Sequence, residues 1–200
     1  VALGRSVGAF VSEMIARGSR GTGDVFDEVW TLNRGLRTFA HSKMFCMDDM
    51  KWLQQKDKAY HDWLKKHPLP VITSTVYSGY ENHIAYPLQE VLEFIGDDIF
   101  CVNTVSYMVA YAMYTEVEHL SVYGADFFYP EGNRAESGGQ AVAYLLGMAA
   151  GKGTMVHHIP QGSTMLYAHK INISPNGEMS RERYGYHRKG VKVEKKRGMN

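Results

Sequence analysis

The chain has 200 residues, 44% of them hydrophobic and 22% charged, with a net charge of +1. That suffices for one domain with a sizeable core and is tight for two. No apolar run approaches the roughly 18 to 20 residues that span a bilayer, and no secretory signal is visible, so a cytoplasmic protein without a membrane partner is expected.

The first elements already alternate. Val1 to Leu3 is strand-like and runs into Gly4-Arg5-Ser6-Val7-Gly8, after which Ala9 to Ala16 has helical spacing. The opening at Val1 leaves little room for a full first strand before Gly4, so a few further residues are expected ahead of it. Arg17 to Asp24 reads as a loop, Asp27 to Asn33 as a strand, and Lys43 to Asp49 as a short apolar run ending in two carboxylates. Asp57 to His67 places Tyr60, Trp63 and Leu64 at helical spacing, closed by Pro68 and Pro70. Val71 to Val76 is rich in β-branched residues and hence strand. Tyr77 to Tyr86 has no clear period.

Leu88 to Ile95 is helical, with Leu88, Val91, Leu92 and Ile95 on one face. Val105 to Thr115 predicts a helix and His119 to Gly124 a buried strand. Ser137 to Gly151 predicts a helix of small residues that packs closely on a sheet, and Thr154 to Ile159 a last strand. Strands alternating with helices at these lengths predict an α/β fold, a largely parallel sheet with helices on both faces. We place this domain at residues 1–170. Residues 171–200 form a tail in which Arg181 to Asn200 carries net charge +6, leaving −5 for the rest. Cys46 and Cys101 lack metal or redox spacing and read as two buried thiols rather than a disulfide.

In open α/β sheets ligands bind beyond the C-terminal ends of the strands. The polar residues at those ends are therefore the candidates. Gly4, Arg5 and Ser6 form a βα turn whose backbone amides suit a phosphate; an unliganded turn is the plain alternative. Asn33 and Arg34 end the second strand, where Asn suits a base or ribose and Arg a phosphate, against simple capping. Asp48 and Asp49 end the third, as oxygen ligands for a divalent ion such as Mg²⁺ or as a helix cap. Ser74 and Thr75 end the next strand, and Asn103, Thr104 and Ser106 open the following helix, as caps or as pocket residues.

Asp126 sits at the end of the 119–124 strand beside Phe127, Phe128 and Tyr129, a carboxylate next to aromatic walls. Arg134 and Glu136 follow in a loop expected to return over the pocket, Glu136 as a base or ribose clamp. His157 and His158 lie on the last strand and point to opposite faces, so at most one can be catalytic. Tyr184 to His187 mixes aromatics with the tail's cations, a combination that stacks bases and binds phosphate, or else docks on its own or a neighbouring subunit.

VALGRSVGAF resembles the glycine-rich opening of a group of Rossmann-like proteins that includes the family 42 sialyltransferases and the archaeal 6-hydroxymethylpterin diphosphokinase-like (MptE-like) proteins. FDEVWTLNRG is similar to their second strand ending in Asn, and NTVSYMVAYAMYTEVEHLSVYGADFFYPEG to their helix followed by a strand ending G-x-D-F-Y. YGADFFYPEGNRAESGGQAVAYLLGMAAGKG resembles proteins of tailed bacteriophages. The resemblance covers most of Val1 to Tyr129. It implies that Gly4, Ser6, Asn33, Asn103, Ser106 and Asp126 line a site for a nucleotide or nucleotide sugar. Arg5 and Val7 depart from the family's Gly-Pro region, and no counterpart of the sialyltransferase histidine stands out beyond His157 and His158.

Together these readings lead to a glycosyltransferase-like enzyme that moves a sugar from a nucleotide donor to a hydroxyl acceptor. Asp126, Glu136 or His157 would be the catalytic base. Gly4, Arg5, Ser6, Asn33, Arg34, Ser74, Asn103, Ser106 and Tyr129 would hold the donor. In a phage setting the protein would work in the host cytoplasm, with a modified DNA base as acceptor and the basic tail giving sequence-independent affinity. The rival readings are an Mg²⁺-dependent pyrophosphokinase-like enzyme, a nucleotide-sequestering protein and a structural phage protein built as a homo-oligomer.

Overall fold

The computed structural model describes residues 7–16, 25–32, 40–96, 101–127 and 138–158. All of them belong to one unit, Val1–Leu166; the basic tail lies outside them. In chain order the elements are α1 (Val7–Ala16), β1 (Trp30–Leu32), β2 (Lys43–Cys46), α2 (Met50–Lys56), α3 (Lys58–Lys65), β3 (Val71–Thr73), β4 (His83–Ala85), α4 (Leu88–Ile95), α5 (Thr104–Tyr114), β5 (His119–Ser121), α6 (Gly138–Gly151) and β6 (Met155–His158). Strands β1 to β4 form a parallel sheet in sequential order, and β5 pairs with β6, also in parallel. The expected α/β class and parallel pairing are therefore present.

Alternation along the strands explains why helices cover both faces. Successive strand side chains point to opposite sides. On β2 and β3, Phe45 and Ile72 join a core with Val91 and Ile95 of α4, Val109, Ala110 and Met113 of α5, and Val142, Leu145 and Leu146 of α6. Met44, Cys46 and Val71 point the other way, into a second core with Met50, Leu53, Tyr60 and Leu64 of α2 and α3. A strand buried on both faces cannot show a polar-apolar rhythm, and KMFC and VIT do not.

Local signals set the helix ends. Asp49 caps α2, its carboxylate accepting from the Lys51 and Trp52 amides at 2.8 and 3.0 Å. Asp57 caps α3 through the Tyr60 amide. Gly96 ends α4 in the left-handed region at φ 74°, where a side chain would be strained.

Two elements were not legible in the sequence. Residues 50–56 form α2, whose seven residues are too few to establish a helical period. Within the unassigned stretch 77–86, His83–Ala85 pairs with β3. The strands are also shorter than their hydrophobic runs: Val71 to Val76 yields a strand only to Thr73. The turn Gly4-Arg5-Ser6, the loop 17–24 and Asn33-Arg34 lie outside the described residues.

Candidate functional site

The start of α5 meets the start of α6 beside the chain that leaves β5. Asn103 and Ser106 form a reciprocal cap. The Ser106 amide donates to Asn103 Oδ1 at 2.9 Å, while Ser106 Oγ accepts from the Val102 and Asn103 amides and donates to the Asn103 carbonyl. Asn103 Nδ2 then reaches across to the Gly138 carbonyl at 3.2 Å, tying the two helix starts together. A Cβ at Gly138 would stand 2.3 Å from that same Nδ2 and 3.6 Å from the Phe127 ring, so a larger residue there requires the Asn103 side chain to move.

The backbone on either side of Asp126 is contorted, and the Phe127 ring that follows it lies beside Gly138. Gly124 has φ 73° and Phe127 φ 50°. A non-glycine residue in that region costs about 1 kcal/mol or more and persists only where its surroundings enforce it. Asp126 is 7% exposed, a buried carboxylate immediately before the strained Phe127. The Tyr107 amide donates to the Asn103 carbonyl and that of Ser106 is capped. The Thr104 and Val105 amides make no hydrogen bond among the described residues and remain as donors at the positive end of α5.

The ends of β2 and β3 carry a separate group. Asp49 is occupied, accepting also from the Tyr77 hydroxyl, and that hydrogen bond, with those from the Trp52 and Lys51 amides, holds its carboxyl below the usual range. Desolvation by the surrounding protein raises the Asp48 carboxyl. Burial, reinforced by Asp48, pushes the Cys46 thiol up to about 12. Ser74 follows β3 and is exposed. Among the described residues no group of three or more His, Cys, Asp or Glu side chains is arranged to hold a metal ion.

A cavity of about 870 Å³ lies between β1 and β5. Trp30 and Leu32 form one wall, Leu120 and Val122 the other, with Val105 and Met108 of α5 between them. Its charged lining comes from the starts of the strands: Asp27, Glu28, Lys43 and Glu118. Burial tends to raise the Glu28 carboxyl, but hydrogen bonds from the Trp30 indole and from Lys43 at 2.9 Å outweigh it and lower it. Lys43 also sits 4.9 Å over the Trp30 ring. Ala125 lines this space and Asp126 does not. Its walls mix hydrophobic side chains with these charged groups and with His119 and His157.

Of the residues expected to bind or react, the structure joins Asn103 and Ser106 in one helix cap, and Asp126 directly precedes Phe127, whose ring lies beside Gly138. The polar groups of Asn103 and Ser106 are spent on the cap, so what they offer a ligand is the orientation of the α5 amides. Ser74 makes no recorded contact with that junction. His157 lies on the wall of the cavity, paired with His119 at 2.6 Å, rather than at the Asp126 turn. Gly4, Arg5, Ser6, Asn33, Arg34, Tyr129 and Glu136 lie outside the described residues, as does the His158 side chain. The sequence pointed to neither Gly138 nor His119. A glycine at the first position of a small-residue helix was the available signal for the former; a cross-strand partner gives none.

No described helix is long and apolar enough to cross a membrane. Compared with family models, with curated proteins and with solved structures, the chain matches none of them.

Proposed function

We propose that the chain binds a nucleotide or nucleotide sugar at the junction of β5, α5 and α6 and transfers the sugar to a hydroxyl acceptor. The observation that carries the reading is the buried Asp126, on a strained turn whose next residue, Phe127, lays its ring beside Gly138 at the start of α6. Strained backbone costs stability, and its place next to a buried carboxylate favours a functional site. The likeness of the 103–132 segment to Rossmann-like transferases agrees with it.

In this reading the Thr104 and Val105 amides receive a donor phosphate at the α5 N-terminus. Asp126 takes the proton of the acceptor hydroxyl, whose oxygen bonds to the anomeric carbon. The bond from that carbon to the phosphate oxygen breaks, and its electron pair leaves with the nucleotide, where the amides stabilise the charge. A nucleic-acid acceptor, recruited by the basic tail, belongs to the same reading, as do a cytoplasmic setting and Mg²⁺ on the donor phosphates.

A thermal-shift screen with nucleoside mono- and diphosphates and their sugar conjugates tests it, followed by assay of sugar transfer. Stabilisation by at least one nucleotide is expected, with turnover falling about 10²- to 10⁴-fold in Asp126→Asn and nucleotide binding largely kept. If no nucleotide stabilises the chain, or Asp126→Asn turns over normally, the reading fails.

A further inference from the structure

We propose that His119 and His157 form a two-imidazole site for a divalent transition metal of the zinc, nickel or copper class. His119 lies on β5 and His157 on β6, and the register between these strands slips at Leu120/Ser121, so that Ser121 is opposite His158 and His157 is left without a Cα partner. Such an irregularity re-aims a side chain. Here it accompanies two rings set head to head, with centroids 4.9 Å apart, planes 24° apart, and Nδ1 of His119 2.6 Å from Nε2 of His157. The two facing nitrogens are hydrogen-bond partners, and both rings are on the cavity wall.

Two lone-pair nitrogens this close must share a proton. A metal ion can replace that proton's bridging role without net proton release. His119 then carries its hydrogen on Nε2 and His157 on Nδ1, and the two facing nitrogens bind the ion. At metal–nitrogen distances of 2.0–2.1 Å, a tetrahedral site separates its ligands by about 3.3 Å, so the rings need open by less than about 1 Å. Both side chains are exposed and can do so. Imidazole selects Zn²⁺, Ni²⁺ and Cu²⁺ over Mg²⁺, which prefers oxygen. No third protein ligand converges among the described residues, which leaves coordination positions for water or a cavity-bound ligand.

The pair His41 and His67 also faces Nε2 to Nε2, at 3.0 Å. It is the poorer site: His67 is buried and the Trp63 ring lies 4.7 Å from it, so bound water has little room.

The test uses the full chain, stripped with EDTA and titrated with nickel chloride and, separately, zinc chloride. Thermal midpoint and the paramagnetic broadening of histidine ring protons by Ni²⁺ are the readouts. A rise in midpoint reversed by EDTA is expected, with broadening at His119 and His157. His119→Ala and His157→Ala should each weaken binding at least about tenfold, and His41→Ala should not. His119→Gln, which keeps a polar side chain on the strand, separates lost binding from lost folding. The proposal is overturned by absence of binding, by unchanged binding in both strand variants, or by loss of binding in His41→Ala alone. None of these outcomes depends on nucleotide binding.

Discussion

Gly138 shows how one missing atom positions a site. Its hydrogen faces Asn103 Nδ2 where a methyl would stand at 2.3 Å. Gly138→Ala must either break the 3.2 Å bond between Asn103 and the Gly138 carbonyl or displace α6. A loss of about 1–3 kcal/mol is expected from this overpacking, read as a lower urea midpoint with unchanged slope. An unchanged midpoint would mean that Asn103 adapts freely and that the junction is not rigid. Cys46 offers a second check at the same scale. Fully buried, with its thiol pushed up to about 12, it should resist iodoacetamide at pH 8 in the native protein and react once unfolded, because the thiolate is the nucleophile. Rapid native labelling at Cys46 would place that strand outside the core. Both residues were present in the sequence as a small residue and an apolar-flanked thiol. Their roles depend on long-range neighbours, which a linear pattern does not reveal.

At the scale of elements, the helix α3 and strand β4 share a group of histidines whose protonation opposes folding. Burial lowers the proton affinity of His67, with further lowering from His41 and His83. Burial also lowers that of His83, partly offset by its hydrogen bond to the Leu64 carbonyl. His83 Nδ1 is buried with no partner. The same patch includes His61, bonded to Asp62 and to the Tyr80 hydroxyl. Because the folded values lie below the unfolded 6.5, the unfolded chain binds protons first. Their stabilisation is complete above about pH 6.5 and declines as pH falls below it. Urea midpoints at pH 7.5 and 5.5 should therefore drop on acidification, and drop less in His83→Gln, whose amide can still donate to Leu64. A rise at pH 5.5 would contradict the assignment. The sequence displayed α4 with its true limits because Leu88, Val91, Leu92 and Ile95 mark one face and Gly96 ends it. It hid β4, because HIA carries one buried residue and its partner strand lies ten residues away.

For the whole molecule, the alternation of strands and helices was legible because the central strands β2 and β3 are buried on both faces, while α3 and α4 each show one apolar face. The placement of polar residues on a common edge was legible only in part. Asn103 and Ser106 do meet, but as the cap of a helix, and His157 belongs to a cavity that Asp126 does not line. Chain order cannot distinguish a cap from a ligand, since both require a polar side chain in the same place. The two regions make different demands of a guest: the start of α5 offers oriented amides, while the space between β1 and β5 combines hydrophobic walls with Asp27, Glu28, Lys43 and Glu118.

Amide chemical-shift mapping during titration with the best-stabilising nucleotide separates them most directly. Perturbations concentrated at Thr104, Asp126, Phe127 and Gly138 are the expected result. Shifts confined to Trp30, Leu32, Leu120 and Val122, or no shifts with any nucleotide, would contradict binding at the end of β5 and remove the basis for sugar transfer there.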